Sequence, residues 1–184
     1  MIKNFLCKLL LAAAAMGVML ATSGIAVAAT ATTTFAVTAT VVANCIINSA
    51  SAMAFGTYTP GAGNVDQTST IVVRCSNGTP YGLGLNAGTG TGSTLAQRKL
   101  SSVSTATAVN YNLFTAVART QIWNNPATAG PAVDNQSGTG TGIANIAANQ
   151  KTHTVFGRIA DDATSQAATP AANYTSTVTM TINY

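Results

Sequence analysis

The C-terminal stretch TSTVTMTINY, residues 175–184, alternates between two kinds of side chain. Its apolar positions are Val178, Met180, Ile182 and Tyr184, and a Thr or Asn stands between each pair of them. Successive side chains of a β-strand point to opposite faces of its sheet, so this pattern predicts a strand with one buried face. The other strands of the sheet and the apolar layer beneath it must come from earlier parts of the chain.

Further segments with the same alternation occur along the chain, and turn-forming segments separate them. No long segment has apolar residues at helical spacing with caps at both ends, so we predict almost no helix. Linkers rich in Gly, Pro and Asn, including the two GTGTG sequences at residues 88–92 and 138–142, are interpreted as flexible loops. Many short strands separated by turns predict an all-β sandwich of one domain. The other predicted strands are MAFGTY (53–58), STIVVRC (69–75, a central strand), YGLGLN (81–86), AVNYNLFTAVA (108–118) and HTVFGRI (153–159).

A further alternating segment, TTTFAVTATVVANC, covers residues 32–45. Phe35, Val37, Ala39 and Val41 would share one face of this strand. The pattern indicates a half-buried strand but does not identify its partner. It is either the first strand of a complete sandwich or a strand that pairs with another molecule.

The first residues have the features of a secretory signal peptide. Lys3 and Lys8 precede an apolar run at residues 9–20, and Ala26-Val27-Ala28 supplies a small-x-small end. The apolar run is too short to favour the alternative of a membrane anchor. We predict a signal peptide at residues 1–28, with cleavage after Ala28 or Ala29.

Removal of this leader would leave about 156 residues, enough for one domain with a sizeable core. We expect an N-terminal strand segment at residues 29–42 and a sandwich domain at 43–184. Six basic residues and four Asp remain, a net charge of +2, and no Glu occurs in the chain. The basic residues form no stripe, so nucleic acid is not expected as a partner.

Two cysteines, Cys45 and Cys75, follow the leader. An exported chain with an even pair of cysteines is most simply explained by one disulfide, and two free buried thiols are the alternative. Two sulfur atoms and the single His153 do not make a complete ligand set, so no metal site is predicted. No cofactor is expected either.

Catalytic chemistry has few candidate groups in this chain. A hydrolase would need His153 or an Asp as its base, with Asp161 and Asp162 the most suggestive pair. A single His is more often structural, and adjacent carboxylates in a loop lack the further oxygen ligands that Ca²⁺ needs. No nucleophile elbow, phosphate loop or zinc motif is present. We therefore expect a protein that is not an enzyme.

Aromatic side chains leave a sugar-binding alternative open. Trp123, Tyr58 and Tyr81 are the candidates for exposed rings that would stack on a carbohydrate. Core or rim packing is the favoured interpretation of each ring. A secreted, self-contained β-sandwich that acts as a coat or carbohydrate-binding protein is the corresponding alternative function.

Motifs in a fixed order from residue 30 to residue 184 give the chain a family resemblance. It resembles the spore coat protein U domain family, whose members include subunits of archaic chaperone–usher pili. The motifs are ANC at the end of the N-terminal strand, MAFGTYTPG, IVVRCSNGTPYGLGLNAG, QRKL, VNYNLFTAVARTQIW, HTVFGRI and YTSTVTMTINY.

The resemblance implies an incomplete immunoglobulin-like sandwich, completed by a donor strand from a neighbouring subunit. Such a subunit would first be held by a periplasmic chaperone and then join neighbouring copies at an outer-membrane usher. It would be exported through the periplasm to a fibre on the cell surface, serving adhesion and biofilm formation. The implied donor residues are Phe35, Val37, Ala39 and Val41, and the implied acceptor strand carries Val178, Met180, Ile182 and Tyr184.

Overall fold

The structure, a computed structural model, describes residues 28–124 and 136–184. The predicted signal peptide, residues 1–28, lies outside the described residues except for its last position. Within the described ranges, no helix is both long and apolar enough to cross a membrane.

The chain divides into two units, Met1–Ala39 and Thr40–Tyr184. In the first unit, residues 28–39 form neither helix nor strand, and their side chains are exposed. The second unit consists almost entirely of antiparallel strands, as the sequence predicts. These are β1 (Cys45–Ala50), β2 (Val65–Cys75), β3 (Pro80–Leu85), β4 (Arg98–Ser101), β5 (Ala108–Phe114), β6 (Gln136–Thr139), β7 (Lys151–Ile159) and β8 (Met180–Asn183), with a 3-10 turn at Ala147–Asn149 and a short helix α1 (Ala163–Gln166).

The strands form two sheets around one core. The first sheet has the order β1–β2–β7–β5–β4, and the second has the order β6–β3–β8. β2 pairs with β1 and β7, as its apolar sequence predicts for a central strand. Along β5, Val109, Tyr111 and Leu113 are buried in the core, where they meet Leu83 and Leu85 of β3. The prediction of an all-β sandwich is confirmed.

A buried arginine joins the two sheets. Arg98 in β4 is fully buried, and its guanidinium donates to four carbonyl oxygens. The acceptors are the backbone of Leu85 at 2.9 Å, Asn86 at 2.9 Å and Trp123 at 2.7 Å, and the side chain of Asn112 at 2.9 Å. Burial lowers the pKa of Arg98 to about 10, so the side chain stays charged at neutral pH.

Trp123 is the second link between the sheets. Its backbone N–H donates to Leu113 of β5 at 2.8 Å, and its indole Nε1 donates to Leu83 of β3 at 2.8 Å. The side chain is 0% exposed. This ring therefore fills the core, and its indole N–H is satisfied by a strand of the opposite sheet.

The disulfide ties the first strand to the sheet. Cys45 opens β1 directly opposite Cys75 at the end of β2, and the two residues are covalently joined. The bond closes a loop with a sequence separation of 30 residues. On the chain-entropy model, such a loop stabilises the folded state by about 3–4 kcal/mol.

Some predicted segments differ from the structure. β5 ends at Phe114, before the predicted residue 118. The first two residues of the loop predicted at 138–142 belong to β6. Gly138 is needed there because a Cβ at this position would lie 2.6 Å from the hydroxyl oxygen of Tyr81. MAFGTY (53–58) belongs to neither sheet, and Gly56 within it has a φ of +73°, outside the extended region of a strand. The prediction of almost no helix agrees with α1, which has only four residues and is capped by Asp162, whose side chain accepts from Ser165 N–H.

We expect that replacing Arg98 with Met lowers the free energy of unfolding by about 3 kcal/mol or more. Four carbonyl acceptors at the junction of the sheets would lose a charged donor. Urea unfolding, followed by the fluorescence of the single Trp123, measures the change. The control is Lys99→Met, on the neighbouring, half-buried position of β4. Equal losses in the two variants would contradict the role given to Arg98.

Candidate functional site

The free edge of the C-terminal strand forms one side of the candidate site. β8 pairs with β3, and it has no second strand partner in the described chain. Upstream of β8, Thr175 exchanges backbone hydrogen bonds with Ser101, and the carbonyl of Thr179 accepts from Asn86. Thr175 and Thr179 are separated by an even number of positions, so their backbone groups point to the same edge of the strand. The backbone of Ser176 and Val178 points to the opposite edge, where no described group pairs with it.

A second unpaired segment lies in the stretch that follows β1. Met53, Phe55 and Tyr58 are half-buried against the core, and the residues between them are exposed. Ser51 N–H donates to the carbonyl of Thr70 at 2.9 Å, and no described backbone bond involves residues 52–58. We name residues 52–58 the strap. Its backbone donors and acceptors have no partner within the described chain.

The strap forms one wall of an open groove with a volume of about 910 Å³. Leu100, Val109 and Ile159 from the five-stranded sheet line its base. Residues 168–172 and the segment leading to β8 provide the rest of the lining. A groove that has apolar side chains at its base and is bordered by unpaired backbone has the features of a site for an added β-strand. The other lining residues include Tyr174, Thr175, Ser176, Thr59 and Pro60.

The predicted acceptor residues belong to the C-terminal strand β8 or flank it, and none of them lines the groove described above; their acceptor role stays a prediction. Val178, Met180 and Ile182 are half-buried and pack against the core on the same face. Tyr184 follows the end of β8 and is 51% exposed. The opposite wall, the strap, was missed as part of the site. Its signal was the alternation of MAFGTY, which we interpreted as an ordinary paired strand.

The predicted donor residues are all exposed. Phe35 is 85% exposed, Val37 82% and Val41 91%, and Ala39 is exposed as well. Residues 28–44 form no strand, and β1 begins only at Cys45. Four apolar side chains in this state are costly to keep in water, because burial of a Phe or Val is worth about 1.5–3 kcal/mol. Donation of this segment to another molecule stays a prediction.

The three candidate catalytic side chains are engaged in holding the fold. His153 is buried in β7, where its Nε2 lies 2.9 Å from the Tyr81 hydroxyl. Asp162 accepts from Asn110 Nδ2 at 2.8 Å and caps α1. Asp161 accepts from the Tyr58 hydroxyl at 2.6 Å. The hydrolase hypothesis gains no support from these contacts.

Two of the aromatic candidates are buried, so the sugar-stacking alternative does not hold for them. Trp123 is 0% exposed and Tyr81 1%, so neither ring is available to stack on a sugar. Both are buried because their polar atoms find partners inside the core: Trp123 bonds to Leu83, and Tyr81 bonds to His153. The favoured interpretation of core packing is confirmed for both. Tyr58 is half-buried at the end of the strap.

Comparison with known families agrees with this geometry. The sequence profile of the Spore Coat Protein U domain family matches residues 31–181. The chain belongs to this family, and the resemblance found in its motifs is confirmed. No curated protein has a sequence that matches the chain.

A solved structure with a similar fold is the CsuC–CsuE chaperone–tip adhesion subunit pre-assembly complex, from archaic chaperone–usher Csu pili of Acinetobacter baumannii. The similarity has a TM-score of 0.49 and 24% sequence identity, over 79% of this chain. The chain spans 40% of the length of the chain it matches.

The buried His153 gives an expected pH dependence of stability. Burial lowers the pKa of its imidazole below the ordinary value of 6.5. As pH falls through that value, the unfolded chain binds a proton that the folded chain does not, so stability falls. We expect His153→Gln to flatten the loss between about pH 7 and about pH 5, because Gln does not titrate. Urea unfolding at a series of pH values measures the free energy of unfolding. An equal dependence of this free energy on pH in the variant and the unmodified protein would contradict the prediction.

Proposed function

We propose that the chain is a structural subunit of a surface fibre assembled by donor-strand exchange. The N-terminal segment of one copy, residues 29–42, fills the groove of the next copy. The observation that carries this proposal is the presence of both halves in one chain. A groove with an apolar base lies between the segment that leads to the C-terminal strand and the unpaired strap, and the same chain carries an exposed alternating segment.

The physical match between the two halves supports exchange. An inserted strand would present its apolar side chains at every second position, where Phe35, Val37, Ala39 and Val41 stand. Each buried Phe or Val contributes about 1.5–3 kcal/mol. Each backbone hydrogen bond formed along the two edges adds roughly 0.5–1.5 kcal/mol. The sum makes a long-lived joint between subunits without a covalent bond.

The partners follow from the open edges and from the family. A long unpaired edge beside an apolar groove is a hazard for aggregation, so the subunit needs a cover before assembly. A periplasmic chaperone supplies this cover in our proposal, and an outer-membrane usher replaces it with the next copy of the chain. The fibre then lies outside the cell, where it serves adhesion and biofilm formation.

We expect Phe35→Asp to abolish fibre formation, because the joint would have to bury a carboxylate in an apolar groove. The control is Thr38→Asp on the opposite face of the same segment. The measurement is the ladder of oligomers on a denaturing gel of unboiled protein, which boiling should collapse to monomer. Deletion of Thr30–Val41 is expected to have the effect of Phe35→Asp.

Fibres formed by the deletion variant would overturn the proposal. A stable monomer of the complete chain, purified without any chaperone, would instead favour a self-contained secreted sandwich.

A further inference from the structure

The strap is fastened firmly only at its two ends. At the first end, Ser51 is held by Thr70: its N–H donates to the Thr70 carbonyl at 2.9 Å, and its hydroxyl accepts from Thr70 N–H at 2.8 Å. Ser69 adds a hydroxyl bond to the carbonyl of Ser51 at 2.5 Å. All of these contacts precede the first residue of the strap.

The second end is held by a single carboxylate. Asp161 accepts from the Tyr58 hydroxyl at 2.6 Å, from Gly61 N–H at 3.0 Å and from Gly63 N–H at 2.9 Å. Its own N–H donates to the side chain of Asn64 at 2.9 Å. Asp161 therefore bonds to four positions about a hundred residues away in sequence: Tyr58 at the end of the strap, and Gly61, Gly63 and Asn64 in the turn after it. Asp161 comes two residues after the end of β7, which is paired on both edges in the five-stranded sheet, so the backbone that carries the carboxylate is well anchored.

Between its ends, the strap is held by side-chain contacts alone. Met53 and Phe55 lie over Gly157 of β7, where an added Cβ would come 2.9 Å from the Phe55 ring. The Phe55 ring meets the edge of Tyr111, with ring centres 6.0 Å apart. Apolar contacts are non-directional, so they allow the middle of the strap to shift while its ends stay fixed. Hydrogen-bonded strands of the sheets lack this freedom.

We propose that Asp161 is a positioning residue of the groove, which anchors the strap so that it can close on an inserted strand. This inference rests on the proposed function. The unpaired backbone of residues 52–58 then forms hydrogen bonds only in the fibre, and the fixed ends set its distance from the free edge leading to β8. Without the carboxylate, Tyr58 and the following turn lose their anchor, and the wall is free to swing away from the groove.

The anchor is also insensitive to pH in neutral and mildly acidic surroundings. The hydrogen bond from Tyr58, followed by the bond from Gly61 N–H, lowers the pKa of Asp161 to about 2. The carboxylate therefore keeps its charge and all of its acceptor sites in mildly acidic surroundings. Its contribution is present above the ordinary Asp value of 3.8 and is lost only as pH falls toward 2.

The test compares fibres of the full exported chain with those of Asp161→Ala and Tyr58→Phe. The control is Asp66→Ala, which removes a carboxylate bound to Arg158 and Arg119 and away from the strap. Two quantities are measured. One is the rate at which fibres dissociate to monomers in detergent, and the other is hydrogen exchange of the strap amides and of the β7 amides.

We expect Asp161→Ala to form fibres that dissociate about tenfold faster, because several bonds to a charged group are lost. The strap amides should lose protection in these fibres, and the β7 amides should keep theirs. Tyr58→Phe should give a smaller change in the same direction. The double variant should be no worse than Asp161→Ala, because both changes break one shared contact. If Asp161→Ala fails to be exported, Tyr58→Phe against Asp66→Ala provides the same comparison.

Three outcomes overturn the inference. The first is that Asp161→Ala fibres dissociate at the same rate as Asp66→Ala fibres. The second is that Asp161→Ala reduces the protection of the β7 amides as much as that of the strap amides, which would make Asp161 a general support of the fold. In both cases the proposed function stands if Phe35→Asp still abolishes fibres. Fibres formed by Phe35→Asp are the third outcome, and they remove the proposed function together with the role of the strap.

Discussion

The relation between the two sheets depends on the buried guanidinium of Arg98. Its planar fork reaches the end of β3, the amide of Asn112 in β5 and the carbonyl of Trp123 at once. A sandwich that leaves one groove open lacks the contacts that a further strand would supply between its layers. Arg98 supplies contacts of this kind inside the core. The sheets are therefore held in register at a point that does not involve the open edges.

Alternation in the sequence predicted much of the fold because it reports which side chains share a face. It placed β2, β5 and β7 correctly, and it put Val178, Met180 and Ile182 on the core side of the C-terminal strand. It did not predict the burial of Arg98, since a cation beside Lys99 looks like part of a solvated face. The burial of Trp123 depends on a carbonyl of a strand 40 residues away, and no local pattern reports that. β6 was hidden because glycine, which usually marks a loop, serves there for close approach to Tyr81.

The same alternation of apolar and polar residues occurs in three segments whose backbone pairing differs. β2 alternates and is paired on both edges, the strap alternates and is paired on neither, and residues 32–44 alternate but form no strand. A period of two describes the faces of a strand and says nothing about its edges, where the hydrogen bonds form. Only the family resemblance favoured pairing of residues 32–45 with a neighbour over pairing within the chain. The half of the site formed by the strap was missed for this reason.

The disulfide has a mechanical consequence in the proposed fibre. Tension along such a fibre enters each subunit through the donated N-terminal segment, and the first sheet residue on that path is Cys45. Its covalent bond to Cys75 passes the load directly to the end of β2, which is paired on both sides. Because the load leaves β1 at its first residue, tension does not break the hydrogen bonds between β1 and β2 one after another. The load reaches the interior of the five-stranded sheet, where many bonds are sheared together.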